Sequence, residues 1–172
     1  MNANGKLIGP DTLAFERLFD ARRDKVWQFL VDGDKRARWF CGGQTEPRVG
    51  GKIVFDFDHS RISSSPPPEK YAHEATACFE GEVLEWEPPT RLAFTWPEAN
   101  GEGSRVEITL SEAEGGGTLL QLVHSGLTTP EYRAGALSGW HAHFNLLDDI
   151  FAGRETRDFW IEHSALEEHY AQ

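Results

Sequence analysis

No stretch of this 172-residue sequence approaches the ~20 consecutive apolar residues that a membrane-spanning helix needs. The first ten residues, Met1–Pro10, lack the apolar core of a secretory signal. Cysteine is scarce: Cys41 and Cys78 are too few for a disulfide framework. Basic residues are in deficit. Lys and Arg number 17 against 28 Asp and Glu, for a formal charge of -11. That balance excludes nucleic-acid and anionic-membrane partners, both of which are held by clustered Lys and Arg. Together these absences predict a cytoplasmic protein with free thiols.

What is present is a core. Hydrophobic residues make up 39 % of the chain, enough for one domain of ordinary size. Ala136, Trp140, Phe144, Leu147 and Phe151 recur at three- and four-residue spacing and form one apolar helical face. This helix starts between Pro130 and Ser138 and ends near Gly153, a suitable C-terminal cap. Strand-like runs precede it: Thr12–Phe19, Lys52–Asp58, Ala75–Glu87, Arg91–Trp96, Arg105–Leu110 and Thr118–His124. Two short helical pieces, Arg23–Val31 and Lys35–Phe40, follow the first strand. Pro88-Pro89 and Gly115-Gly116-Gly117 make turns, and Pro97–Gly103 a loop. His59–His73 carries Ser63-Ser64-Ser65-Pro66-Pro67-Pro68 and reads as a mobile loop, because proline cannot donate to a ladder. Connections of hairpin length favour antiparallel pairing. The fold class is α+β, with a curved sheet of six or seven strands wrapped around the long helix. A gap between sheet and helix would be a cavity.

Residues 1–11 read as a loose leader, 12–153 as the domain and 154–172 as a C-terminal extension. In the extension Phe159, His163, Leu166 and Tyr170 fall near helical spacing, so a short helix is expected there. Its stripe needs a surface, and a homodimer contact is favoured slightly over docking on the same chain.

Several short motifs occur in order: Phe19-Asp20-Ala21 leading into Val26-Trp27, Arg38-Trp39-Phe40, Val49-Gly50-Gly51-Lys52, and Gly81-Glu82-Val83-Leu84. Arg91-Leu92-Ala93-Phe94-Thr95-Trp96, His124-Ser125-Gly126-Leu127 and Gly139-Trp140 with Leu147 complete the series. On these residues the chain resembles the Bet v 1-like, START-related (SRPBCC) superfamily over about residues 12–152. Within it, the chain is similar to the family named after the C-terminal domain of the activator of the Hsp90 ATPase. Arg22 departs from the proline usual at that helix start; the Ser/Pro insertion and the tail after Gly153 are further departures. The resemblance implies a helix-grip fold with an internal pocket. It implies little about chemistry, because one fold hosts many functions.

The candidate site residues are aromatics and histidines. Trp39, Phe40, Phe55, Phe57, Phe94, Trp96, Trp140 and Phe144 lie on inferred inward parities and are expected to line a pocket. His124 shares parity with Leu120 and Leu122; it is a polar anchor or general base, or else a satisfied core histidine. His143 sits at the edge of the helix's apolar face and His141 points away. At i and i+2 on a helix the two cannot share a metal, and no metal or cofactor is expected. His59 and His73 are expected in solvent. Glu80, Glu82 and Glu85 lie on one strand, and Glu80 is a weak candidate base. Phe79 and Val83 compete with Leu84 and Trp86 for its inward face. Cys41 is either an exposed reactive thiol or a bystander, the latter favoured.

Three catalytic signatures fail. Gly135-Ala136-Leu137-Ser138-Gly139 misplaces the serine of a nucleophile elbow. Gly101-Glu102-Gly103 and Gly50-Gly51-Lys52 lack the spacing of phosphate-binding loops. Three readings are therefore ranked. First is a protein that binds a small hydrophobic or aromatic ligand. Second is a cyclase- or hydrolase-type enzyme using the same pocket. Third is an Hsp90-type co-chaperone acting in stress response, ranked last because the sequence leaves no room for the additional N-terminal domain of the eukaryotic activator.

Overall fold

Leu13, Phe15, Phe19, Leu120, Leu122, Val106, Ile108 and Leu110 alternate along their strands and are all buried, so one face of a sheet carries the core. A computed structural model describes residues 3–97 and 103–172. The strands are β1 (Lys6–Leu7), β2 (Leu13–Phe19), β3 (Lys52–Asp56), β4 (Cys78–Glu87), β5 (Arg91–Pro97), β6 (Gly103–Glu112) and β7 (Thr118–Ser125). They form one antiparallel sheet in the order β1-β2-β7-β6-β5-β4-β3. The helices are α1 (Arg23–Val31), α2 (Gly33–Arg36), α3 (Pro130–Phe151) and α4 (Phe159–Tyr170). This is the helix-grip architecture, with the sheet curved about α3. Gly101 and Glu102 of the Gly101-Glu102-Gly103 motif lie outside the described residues, and Gly103 opens β6.

The boundaries of α3 follow from its caps. Thr129 accepts from the Tyr132 amide and Pro130 occupies the first turn, which fixes the start the sequence left open. Gly153 adopts φ 69° just past the end. Trp140, Phe144, Leu147 and Phe151 are all buried.

The competition on β4 is resolved by a bulge between Val83 and Glu85. Before it, Val83 is buried and Phe79 packs on Phe55. After it, Trp86 meets Trp27 edge-on at 5.2 Å. The extra residue shifts the parity, so both halves of the strand point apolar side chains inward.

A buried arginine joins the helical segment to the sheet edge. Arg36 is 2 % exposed. Its guanidinium donates to the carbonyls of Cys41, Gly42, Gly43 and Val54 and to Thr45 Oγ1. Gly43 permits this approach: it has φ 101°, and a Cβ there would collide with the Val54 carbonyl.

Several expectations are corrected. The second helical piece is Gly33–Arg36, followed by a turn, rather than Lys35–Phe40. β3 ends at Asp56, and β4 begins at Cys78 because Glu74–Thr76 is a 3-10 turn. The leader is tied at Lys6–Leu7, which pair with β2. The Ser/Pro segment is not a free loop. Ser63 and Ser64 hydroxyls and the amides of Ser64 and Ser65 donate to the Asp158 carboxylate at 2.7–3.0 Å. Asp158 also caps α4 through the Ile161 amide. Burial pushes this carboxyl up, but hydrogen bonds from Ser63, Ser65, Ile161 and Ser64 outweigh burial and hold it below the usual range.

The tail's stripe is used within the chain. Phe159, Trp160, His163 and Leu166 are buried, and α4 packs along α3. The surface that a homodimer contact would have used is thus covered by the chain itself. Ile161 remains 65 % exposed on the opposite side.

Candidate functional site

The concave sheet, the N-terminal half of α3, the Phe57–Ala77 segment and α4 enclose a cavity of about 770 Å³ that is partly open to solvent. This is the range of small-molecule sites. Six of the expected lining residues border it: Phe40, Phe57, Trp96, His124, Trp140 and His143. Trp39, Phe55 and Phe94 border instead a void of about 10 Å³, with room for a single water at most. Phe144 is fully buried between Trp39 and Trp140, stacked on both at 6.0 and 5.6 Å. These four support the walls from behind.

The far wall could not be anticipated from strand parity. It is made by His59, Tyr71, Phe159, Trp160 and His163, from the Ser/Pro insertion and α4. His59 is 6 % exposed and stacks on Phe57 at 5.4 Å, contrary to the expectation of a solvated histidine; His73 is exposed. The only sequence signal for this wall was the stripe Phe159, His163, Leu166, Tyr170. Glu74, Glu131 and Glu167 stand at the cavity margin.

His124 is fixed by chemistry on both sides. The Trp140 Nε1–H donates to its Nδ1 at 3.1 Å. Nδ1 is therefore an acceptor, and the proton sits on Nε2, which donates to Ser104 Oγ at 2.7 Å. Ser104 in turn donates to the Trp96 carbonyl at 3.2 Å. Burial pushes the imidazole down to about 3. His124 is thus a neutral clamp between two cavity tryptophans, with both nitrogens engaged.

Glu80 does not join it. It is exposed on the outer face and pairs with Lys52 at 3.1 Å. Glu82 is exposed too, and Glu85 pairs with Arg91 and Arg105 on the outer face. The two weak catalytic candidates, His124 and Glu80, are therefore not brought together. Cys41 is buried, and burial pushes its thiol up to about 12, so it is no reactive thiolate.

The two α3 histidines face opposite ways. His143 donates from Nδ1 to the Trp39 carbonyl at 2.7 Å and lines the cavity. His141 turns away from the cavity but is buried, bonded to the Tyr170 hydroxyl at 2.8 Å under α4. Among the described residues no cluster of three or more His, Cys, Asp or Glu could hold a metal ion.

Residues 20–152 match the family model described as activator of Hsp90 ATPase homolog 1-like protein. The chain belongs to this family. Among solved structures, this family member is similar to the protein encoded by gene BPP1335 of Bordetella parapertussis, at 33 % identity and a TM-score of 0.83. That match covers 99 % of this chain and 90 % of the other. It is also similar to CalU16 from Micromonospora echinospora, at 26 % identity and a TM-score of 0.69, covering 93 % and 86 % of the two chains. A conserved protein of unknown function, EF2215 of Enterococcus faecalis, shares the fold at 21 % identity and a TM-score of 0.68, covering 97 % and 86 %. Among curated proteins none matches the chain. No helix among the described residues is long and apolar enough to cross a membrane.

Proposed function

We propose that this chain is a binding protein for a small apolar or aromatic ligand held between the sheet, α3 and α4. The observation that carries the reading is the cavity of about 770 Å³ walled by aromatic rings. A cavity whose walls are indole and phenyl faces favours flat apolar ligands through area burial and ring stacking. The clamp of His124 on Trp140 and the backing of Trp39 and Phe144 hold those faces in place before a ligand arrives, which lowers the ordering cost of binding. The family's name refers to an Hsp90 activator, and that partner belongs to the protein the family is named for.

The test is titration with the neutral fluorophore N-phenyl-1-naphthylamine. Binding should raise probe emission and quench tryptophan, and Trp140→Ala should weaken it. If the probe neither brightens nor quenches at tens of micromolar protein, the reading fails.

A further inference from the structure

We propose that the ligand of this cavity is an aromatic or apolar amine, bound as its cation with its N–H groups donated to the cavity's acceptors. This rests on the ligand-binding reading above and adds the charge and hydrogen-bonding class of the ligand.

The first observation is the polarity of the walls. Nδ1 of His143 bonds the Trp39 carbonyl, and Nδ1 of His59 bonds the Ala75 carbonyl at 3.2 Å. A carbonyl only accepts, so both protons sit on Nδ1 and both Nε2 atoms keep their lone pairs. Burial keeps both rings neutral. Both line the cavity, with ring centroids 5.8 Å apart. His163 lines the same cavity at 5 % exposure, with its Nδ1 buried 3.9 Å from Glu167 Oε2.

The second observation is charge. Among the described residues the cavity is lined by three carboxylates, Glu74, Glu131 and Glu167, and by no Lys or Arg. Glu167 is already held by Lys70 and the Tyr71 hydroxyl. Glu74 and Glu131 are exposed and make no ion pair among the described residues. An anionic ligand would meet these carboxylates with no cation to receive it. A cation meets them favourably and also gains from the faces of Trp96, Trp140 and Trp160. Acceptors inside, carboxylates at the margin and indole faces between them match one ligand class: a protonated amine on an apolar frame.

The test compares three probes of one shape: 1-naphthylmethylamine, 1-naphthylmethanol and 1-naphthylacetate, titrated by tryptophan quenching at pH 7 and 0.15 M salt. The amine should bind at least about tenfold tighter than the acetate, with the alcohol between. The double variant Glu74→Gln/Glu131→Gln, at two exposed positions, should cut the amine's advantage over the alcohol several-fold. If the alcohol or the acetate binds as tightly as the amine, or the double variant keeps the full preference, the amine assignment is overturned while the apolar-ligand reading stands. If none of the three binds, both are overturned.

Discussion

The indole of Trp140 donates to Nδ1 of His124 at 3.1 Å, and this one bond sets the tautomer of a histidine and the tilt of a cavity wall. Trp140→Phe keeps most of the apolar surface but leaves the buried Nδ1 without its donor. We expect a loss of about 1–3 kcal/mol in urea titration, the cost of an unsatisfied buried group. Adding His124→Leu removes the stranded acceptor, so the double variant should lose less than the sum of the singles, with a coupling of about 0.5–3 kcal/mol. Strict additivity would show that the bond does not carry stability.

Arg36 gives the next test, since one buried guanidinium serves five carbonyls, that of Leu30 included. Arg36→Met matches the stem but takes the donor from the Cys41, Gly43 and Val54 carbonyls, while Gly42 keeps the Asp56 amide. Hydrogen bonds to a charged group contribute about 1.5–3 kcal/mol each, and we expect a loss of at least about 3 kcal/mol. Arg36→Lys should not restore it, because an ammonium cannot span the fork. A stability change under about 1 kcal/mol for the methionine variant would contradict the role.

Stability should fall in mild acid before the carboxylates protonate. Burial, the largest cause in each case, pushes His124 down to about 3 and His141 and His163 down to about 4, from an ordinary 6.5. His59 and His143 are lowered too. The folded pKa values lie below the unfolded one, so the unfolded chain binds more protons. These groups therefore contribute fully above about pH 6.5, and their contribution is lost as pH falls toward 4. Each fully titrating histidine adds a slope of about 1.4 kcal/mol per pH unit. A urea midpoint that is flat between pH 6.5 and 4.5 would show that the buried rings do not titrate in this way.

Strand alternation and the α3 stripe made the sheet, the long helix and five cavity residues legible in the sequence. Phe57, Trp96, His124, Trp140 and His143 follow from period-two or period-3.6 patterns, whereas Phe40 sits in the turn after α2. The same patterns could not separate Trp39, Phe55, Phe94 and Phe144, which are equally inward but backed against other rings. Parity reports which side a residue faces, not whether space remains there. The bulge at Val83–Glu85 was hidden because an inserted residue leaves two valid alternations side by side. The far wall was hidden for another reason. His59 and Tyr71 belong to a polar, proline-rich segment, and what orders it is Asp158, a carboxylate 93–95 residues away. Local composition carries no trace of such a partner.

That distant carboxylate gives the last prediction. Asp158 receives the hydroxyls of Ser63 and Ser64 and the amides of Ser64 and Ser65 and caps α4, and α4 supplies Phe159, Trp160 and His163 to the cavity. Asp158 is thus where the tail and the insertion are fastened to each other. Losing a helix cap costs about 1 kcal/mol, and the two part-buried bonds, from the Ser63 hydroxyl and the Ser65 amide, add about 0.5–1.5 each. Asp158→Ala should therefore lose about 2–4 kcal/mol, a drop of roughly 5–15 °C for a chain of this size. Truncation after Gly153 removes the α4 half of the far wall, bares His141 and His143, and should lower the melting temperature further and abolish probe binding. Because the tail's stripe is buried within the chain, the subunit count by light scattering should be the same for Asp158→Ala as for the full chain. If the truncated protein melts with the full chain and still binds N-phenyl-1-naphthylamine with equal affinity, α4 neither supports the fold nor walls the site.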